Sequence, residues 1–228
     1  MNLKTAFLSI VSILVIGCCP VITQLRASDS LPVFPSAKKG LLDLRQIDLS
    51  KHNVPLSGEW AIYWGKIFTP KDSAGKPTAY VDFPKLWSKT YIDNLPLPVI
   101  GYATYSLTVL LPAHNNKLAL EIPDTYDAYR LFINDEMFAN SGNPDSVKEK
   151  AVPKWIEKTV ELTQKTDTLH LILQVANFWH SKGGPYKEIV IGNKETLFYE
   201  KEKSDAFDLT LTGCLFMGGL FFFGLFLF

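Results

Sequence analysis

The sequence predicts an all-β domain, a β-sandwich of the jelly-roll type, followed by the start of a transmembrane α-helix. Two observations predict the sandwich: short segments in which apolar and polar residues alternate, and prolines and glycines that separate those segments. The sequence lacks the regular alternation of strand and helix patterns that a parallel α/β fold requires. A third observation predicts the helix, because residues 209–228 contain no charged side chain.

The clearest strand patterns lie in the first half of the domain. Trp60, Ile62 and Trp64 occupy every second position, which places their side chains on one face of a sheet, and we assign Trp60 and Trp64 to the core. Residues 104–111 alternate between polar and apolar side chains, as a half-buried strand does. Residues 117–122 repeat this pattern, and the short link between the two segments predicts a hairpin.

A second hairpin is predicted further along the chain. Residues 126–133 and 137–139 flank Asn134-Asp135, a pair that tolerates the tight backbone of a turn. Residues 168–175 alternate strongly, and residues 189–191 add a short strand. Several short strands at turn-separated spacing favour a sandwich or jelly roll.

Residues 1–27 predict an export signal. Lys4 precedes an apolar stretch at residues 6–16, whose length suits a signal peptide and is short for a membrane span. Val15-Ile16-Gly17-Cys18 matches a bacterial lipobox, in which cleavage before Cys18 leaves that residue carrying a lipid. Ordinary cleavage after Ala27 is the alternative. The signal predicts that the domain works outside the cytoplasm.

The domain after the signal is expected at residues 28–205, and it contains no cysteine. The lack of disulfides fits an exported domain of the bacterial periplasm better than a small extracellular module held together by disulfides. Residues 206–228 then predict a first transmembrane helix, and we expect the protein to continue beyond Phe228 because a chain end in hydrocarbon is costly. The predicted location is the bacterial inner membrane, with the domain facing the periplasm.

Composition and motifs argue against several classes of function. The formal net charge is zero and the pI is about 6.9, so nothing electrostatic points to nucleic acid as a partner. The common nucleophile, phosphate-binding and zinc motifs of enzymes do not occur, and the four histidines are scattered. The oxygen-rich residues 140–146 do not follow the spacing of a calcium-binding loop. We therefore predict no enzyme, no catalytic residue, no metal site and no cofactor.

The segment at residues 177–186 is the first candidate ligand site, because it directly follows a strong strand and binding sites are commonly built on loops. A sugar needs an aromatic face for its C–H surface and a few polar partners for its hydroxyl groups. Side chains of these types are Asn177, Trp179, His180 and Tyr186. The alternative is that Trp179 packs over the end of the sandwich.

Arg130 is the second candidate. Tyr129, Leu131 and Ile133 point to one face of their strand, so Arg130 points to the other. A cation on a mostly apolar face needs a partner, and a carboxylate within the protein is the alternative to a ligand.

Five groups of residues, in this order, resemble the periplasmic jelly-roll domain of bacterial seven-transmembrane receptors with diverse intracellular signalling modules. They are Gly58-Glu59-Trp60 with Tyr63-Trp64, Phe83-Pro84 with Trp87, residues 101–105, residues 128–134, and residues 174–178 with Gly183-Gly184. The resemblance runs from about Gly40 to Phe207-Asp208-Leu209 and Gly213, which are similar to the start of that family's first span. This chain departs from the family in having one span and in having Asn134-Asp135 where Asn-Gly is commoner.

The resemblance implies a fold related to galactose-binding-like jelly rolls and a sensor of carbohydrates or other small ligands. In that family a membrane bundle passes the signal to a kinase, cyclase or phosphatase module. The hypothesis from sequence is therefore a periplasmic sensory domain with a small ligand, held by a membrane helix. The alternatives are a protein-interaction module that pairs two chains as a homodimer or recruits a partner, and an accessory carbohydrate-binding domain of a membrane-tethered hydrolase.

Overall fold

A computed structural model describes residues 34–113, 117–163 and 166–227. The predicted export signal at residues 1–27, the lipidation site Cys18 and the link at residues 114–116 lie outside the described residues.

The described residues form thirteen β-strands, a 3₁₀ helix at Trp87–Lys89 and one α-helix. The strands are β1 (Leu41–Asp43), β2 (Val54–Pro55), β3 (Gly58–Trp64), β4 (Ala79–Phe83), β5 (Tyr91–Ile92), β6 (Leu95–Pro96), β7 (Gly101–Leu110), β8 (Leu118–Ile122), β9 (Ala128–Ile133), β10 (Glu136–Ser141), β11 (Lys158–Glu161), β12 (Thr168–Asn177) and β13 (Val190–Asn193). The α-helix is α1 (Lys194–Leu227).

The strands form two main sheets. Sheet A has the order β10-β9-β12-β7-β3-β4, and β1 pairs with β7 in parallel beyond the end of β3. Sheet B has the order β11-β8-β13-β2. Strands β5 and β6 form a separate small hairpin. All pairings other than that of β1 are antiparallel.

One hydrophobic core lies between the two sheets. Leu107 and Leu171 of sheet A and Leu120 and Ile191 of sheet B are fully buried members of the same cluster. Because side chains alternate along a strand, the apolar positions of each sheet face this cluster. The predicted β-sandwich followed by an apolar helix is confirmed.

Aromatic rings fill one part of this core. Trp60 is fully buried and stacks on Phe83 with ring centroids 4.1 Å apart, and its Nε1 donates a hydrogen bond to the Leu56 carbonyl at 3.0 Å. Trp64 is only half-buried and meets the edge of Trp87. The prediction for Trp60 is therefore confirmed, whereas Trp64 lies at the margin of the core.

One of the two predicted hairpins is wrong. Strand β7 pairs with β12 and β3 in sheet A, whereas β8 pairs with β11 and β13 in sheet B. The alternation of residues 104–111 and 117–122 correctly predicts two strands, but these strands belong to different sheets and form no hairpin. The second hairpin is confirmed, because β9 pairs with β10 around a turn in which Asn134 has a φ of 53°.

Helix α1 begins directly after β13, twelve residues before the predicted start at residue 206. The side-chain oxygen of Asn193 accepts hydrogen bonds from the backbone N–H groups of Glu195 at 2.8 Å and Thr196 at 3.3 Å, which caps the helix. Leu197 is buried, and the second half of the helix is exposed and apolar. This helix is long and apolar enough to span a membrane.

We predict that Trp60→Ala destabilises the sandwich by about 3–5 kcal/mol, because it removes a large buried ring and its hydrogen bond. Chemical denaturation of the full chain in detergent micelles, followed by circular dichroism, measures this change. Tyr80→Ala, on the exposed side of the edge strand β4, is the matched control and should stay within about 0.5 kcal/mol of the wild type. Equal destabilisation by the two variants would contradict the prediction.

Candidate functional site

The candidate residues lie at one end of the sandwich, which we call the loop end. Strands β3, β8 and β12 finish there, and β7 and β9 start there, since Asn177 pairs with Gly101 and Ala176 pairs with Ala128. The loops at this end are residues 65–78, 97–100, 123–127, 142–157 and 178–189. The predicted candidates of residues 177–186 therefore share one end of the fold.

A buried carboxyl group holds two of these loops together. Asp127 is completely buried, and its Oδ2 accepts a hydrogen bond from the backbone N–H of Gly184 at 2.7 Å. Among the described residues no donor reaches its Oδ1. Loss of hydration raises the pKa of Asp127 to about 7, and the hydrogen bond from Gly184 opposes that rise. The carboxyl therefore titrates near neutral pH.

The glycine pair beside this carboxyl allows a close approach of Trp87. A Cβ on Gly183 would lie 2.1 Å from the Val99 carbonyl oxygen, and a Cβ on Gly184 would lie 2.6 Å from the Trp87 ring. Gly184 also has a φ of 92°, which favours glycine. Nε1 of Trp87 donates a hydrogen bond to the Tyr105 hydroxyl at 2.7 Å. The loop containing Gly184 is thus packed directly against the core.

Asn177, a predicted ligand residue, is buried and forms hydrogen bonds within its own turn. Its Nδ2 donates to the carbonyl groups of Val99 at 2.9 Å and His180 at 2.8 Å. Its Oδ1 accepts from the N–H groups of Trp179 at 3.2 Å and His180 at 2.9 Å. The structure therefore gives Asn177 the role of shaping the turn that presents Trp179 and His180.

Three rings form a stack next to this turn. The ring of Tyr126 lies parallel to that of His180 at 4.3 Å and to that of Tyr186 at 4.7 Å between centroids. Tyr126 was not among the predicted site residues. Since 54 residues separate it from His180 in the sequence, no local pattern could have indicated the stack.

Two tryptophans at the loop end are exposed. Trp179 has 61% of its surface exposed, and the ammonium group of Lys148 lies over its ring at 4.6 Å from the centroid, a cation–π contact. Trp155 is 67% exposed, and its Nε1 donates a hydrogen bond to the Tyr126 carbonyl at 3.3 Å. The predicted alternative, in which Trp179 packs over the sandwich end, is therefore wrong. Trp155 lies outside the alternating segments and was missed for that reason.

Charged groups surround these rings. The ammonium group of Lys182 lies 5.6 Å from the ring centroid of Tyr126. Asp124 accepts hydrogen bonds from the Tyr186 hydroxyl at 3.3 Å and from the ammonium group of Lys187. Burial and, to a smaller extent, the Asp124 carboxylate raise the pKa of Tyr186, so this phenol stays protonated.

Arg130 points to the outer face of sheet A, as predicted, because Tyr129, Leu131 and Ile133 belong to the core. Its partners within the protein are not the carboxylate that was the alternative to a ligand. Nη1 donates to Oε1 of Gln174 at 3.3 Å, and Nη2 donates to Oδ1 of Asn143 at 2.7 Å. The guanidinium is therefore held by two amide oxygens.

These contacts continue across the sheet. Nε2 of the buried Gln174 donates to the Phe68 carbonyl at 2.8 Å. Arg130 thus links the loop at residues 142–157, through Asn143, to the loop at residues 65–78, through Gln174 and Phe68. Asn143 and Phe68, one from each loop, therefore lie on the outer face of sheet A.

A cleft of about 350 Å³ opens between these two loops. Its volume falls within the range of about 300–1,000 Å³ that is usual for small-molecule sites. Tyr102 of β7 lines it, with Lys66, Phe68 and Ser73 on one side and Ser146 on the other. The residues that line the cleft therefore include a tyrosine, a lysine and two serines. In the part of the chain that the structure describes, no group of three or more His, Cys, Asp or Glu residues is arranged to hold a metal ion.

No protein-family model matches the sequence, and no curated protein matches it. The structure is similar to parts of solved glycosidases. A β-glucuronidase from Faecalibacterium prausnitzii is 13% identical with a TM-score of 0.47, and the match covers 61% of this chain and 31% of that chain. A glycosyl hydrolase family 2 member from Bacteroides cellulosilyticus DSM 14838 is 15% identical with a TM-score of 0.47, and covers 61% of this chain and 20% of that one.

A third similar structure is the β-galacturonidase from Eisenbergiella tayi bound to galacturonate, at 14% identity and a TM-score of 0.42, covering 62% of this chain and 24% of that one. This chain spans less than a third of the length of each of these enzymes. A fold-level likeness of this kind does not assign a reaction or a ligand.

We predict that the free energy of unfolding falls by on the order of 2 kcal/mol between pH 5 and pH 8 because of Asp127. Its folded-state pKa of about 7 lies above the ordinary value of 3.8, so its stabilising contribution is complete below pH 3.8 and is lost as the pH rises through 7. Thermal unfolding of the full chain in micelles across this range measures the change.

Asp127→Asn cannot titrate and should remove this part of the pH dependence, whereas Asp135→Asn, at an exposed turn, should keep the wild-type profile. A wild-type profile in Asp127→Asn would show that other groups cause the change.

Proposed function

We propose that this chain is the extracytoplasmic ligand-binding part of a bacterial membrane signalling receptor. The sandwich binds a small ligand, a carbohydrate, in the cleft at the outer face of sheet A. Helix α1 anchors the sandwich in the inner membrane, with the domain on the periplasmic side. The observation that carries this proposal is the continuity of α1, which leads from the last strand into the apolar segment without a linker.

The contacts of α1 with the sandwich support coupling between the domain and the membrane. Leu197 is buried against the domain, and Glu195 and Lys201 form ion pairs with Lys117 at 2.9 Å and Glu157 at 3.6 Å. Exposed ion pairs of this kind contribute little stability individually. The stiffness of the connection between the sandwich and α1 therefore rests on the buried Leu197 and on the unbroken backbone between β13 and α1. A shift of sheet B would therefore move the helix.

The chemistry of the cleft supports a saccharide ligand. The Tyr102 ring offers a surface for sugar C–H groups, and Ser73 and Ser146 offer hydroxyl groups for hydrogen bonds. The cleft lies between two loops that Arg130 already connects through Asn143 and Gln174. A ligand that contacts both loops would bring them together, and that change is the signal we assign to binding.

We predict that the full chain in detergent micelles binds a saccharide and that Tyr102→Ala weakens this binding about tenfold, the loss expected for one aromatic contact. A thermal-shift screen with neutral sugars, acidic sugars and peptidoglycan fragments finds the ligand, since a ligand of the native state raises the unfolding midpoint. Isothermal titration calorimetry then gives the affinity of each variant.

Tyr91→Ala is the matched control, because Tyr91 is an exposed tyrosine outside the cleft. It should bind as the wild type does. Binding that survives Tyr102→Ala would place the ligand elsewhere, and a folded chain that binds no saccharide would favour the protein-interaction function.

A further inference from the structure

Helix α1 runs toward the loop end of the sandwich. Its first turn lies at the start of β8, where Glu195 pairs with Lys117 at 2.9 Å. Two turns later Lys201 pairs with Glu157 at 3.6 Å. Glu157 directly precedes Lys158, which lies opposite Ile122 at the end of β8. The helix therefore runs over sheet B in the direction from the start of β8 to its end and points toward the loop end, and Glu200 on the way accepts a hydrogen bond from Asn53 at 3.1 Å.

The apolar part of α1 consequently lies beyond the loop end. Leu209, the first residue of the uncharged segment, follows Lys201 by eight residues, a rise of about 12 Å in an α-helix. The polar headgroup layer outside the hydrocarbon core occupies about half of that distance. The remaining gap is within the reach of the long side chains of the loops.

We propose that the loop end docks on the lipid headgroups of the membrane that α1 spans, with Trp155 and Trp179 at the interface and Lys148 and Lys182 on anionic headgroups. This inference rests on the membrane anchoring in the proposed function. It assigns to these four residues a partner different from the ligand of the cleft.

A continuous strip of aromatic side chains starts where the helix leaves. Trp155 lies two residues before Glu157, the partner of Lys201, and donates a hydrogen bond to the Tyr126 carbonyl. Tyr126 stacks on His180, and the neighbouring Trp179 is exposed. Trp and Tyr are the residues that concentrate at membrane–water interfaces, because one part of each ring is apolar and another forms hydrogen bonds.

The lysines of this strip fit an anionic surface. Lys148 and Lys182 lie over the rings of Trp179 and Tyr126, and in the described residues neither has a carboxylate at ion-pair distance. Lys187 is different, because Asp124 neutralises it. At membrane surfaces, lysines commonly pack their methylene groups on apolar surface and place the ammonium group among the lipid headgroups. Lys148 and Lys182, each next to an aromatic ring, fit this behaviour.

The test uses the full chain reconstituted in vesicles that contain lipids with a nitroxide on the headgroup, a short-range quencher of tryptophan fluorescence. Trp60 and Trp87 are buried and Trp64 is half-buried, so Trp155 and Trp179 should give most of the quenched signal. We expect the double variant Trp155→Phe/Trp179→Phe to lose most of the quenching.

A matched control moves the reporter to the other end of the sandwich. Met137→Trp, made in the double variant, places an exposed tryptophan on β10 beside the turn at Asn134, opposite the loop end. This tryptophan should not be quenched. Quenching equal to that of the wild type would overturn the proposed docking, because it would show that the quencher does not discriminate between the ends.

Two further results separate docking from anchoring. If the chain resists alkaline extraction from the vesicles and is not quenched, docking fails while the anchor holds. If alkali extracts the chain, both fail. We also expect stronger quenching with phosphatidylglycerol than with phosphatidylcholine alone, and loss of this difference in Lys148→Gln/Lys182→Gln. Equal quenching in both lipids would overturn the role of the two lysines.

Discussion

The hydrogen bond from the Gly184 amide to the buried Asp127 carboxyl fixes the end of the sandwich on which the candidate sites are built. It joins the loop after β8 to the loop after β12. On one side of it, Trp87 packs against Gly184 and reaches the Tyr105 hydroxyl in the core. On the other side, Tyr126 directly precedes Asp127 in the sequence, and its ring stacks on that of His180. Burying an ionised carboxyl group costs free energy, and this cost raises the pKa of Asp127.

One loop contributes to both proposed surfaces. In the segment at residues 142–157, Asn143 holds Arg130 and Ser146 lines the cleft, whereas Lys148 and Trp155 belong to the strip at the tip of the loop end. A ligand that moves this segment would change how its lysine and tryptophan meet the headgroups. Ligand binding and membrane contact would then share one segment, which is a physical route from the cleft to the bilayer.

Alternation along the chain predicted the strands because it reports which side chains face a core, and this was sufficient for β7, β9 and β12 and for the buried Trp60. It cannot report which strand is the neighbour, so β8 was assigned to the wrong sheet. The start of α1 was predicted too late because its first half is charged and does not resemble a membrane span. The helix begins at Lys194, where Asn193 caps it and Leu197 packs against the sandwich. Asp127 was missed because its burial depends on residues distant in the sequence.

The candidate site was predictable to a similar degree. The position of Trp179 after a strong strand indicated a loop residue but left open whether its ring is exposed or packs over the sandwich end, and the structure exposes it. Asn177 has the residue type of a ligand contact, but its hydrogen bonds are all directed to its own turn and to Val99. The direct passage from β13 into α1 has one more consequence. Because each helical residue turns the chain by about 100°, the burial of Leu197 sets the rotation of every residue that follows, so a single residue inserted before Leu209 would rotate the apolar segment by about 100° relative to the sandwich.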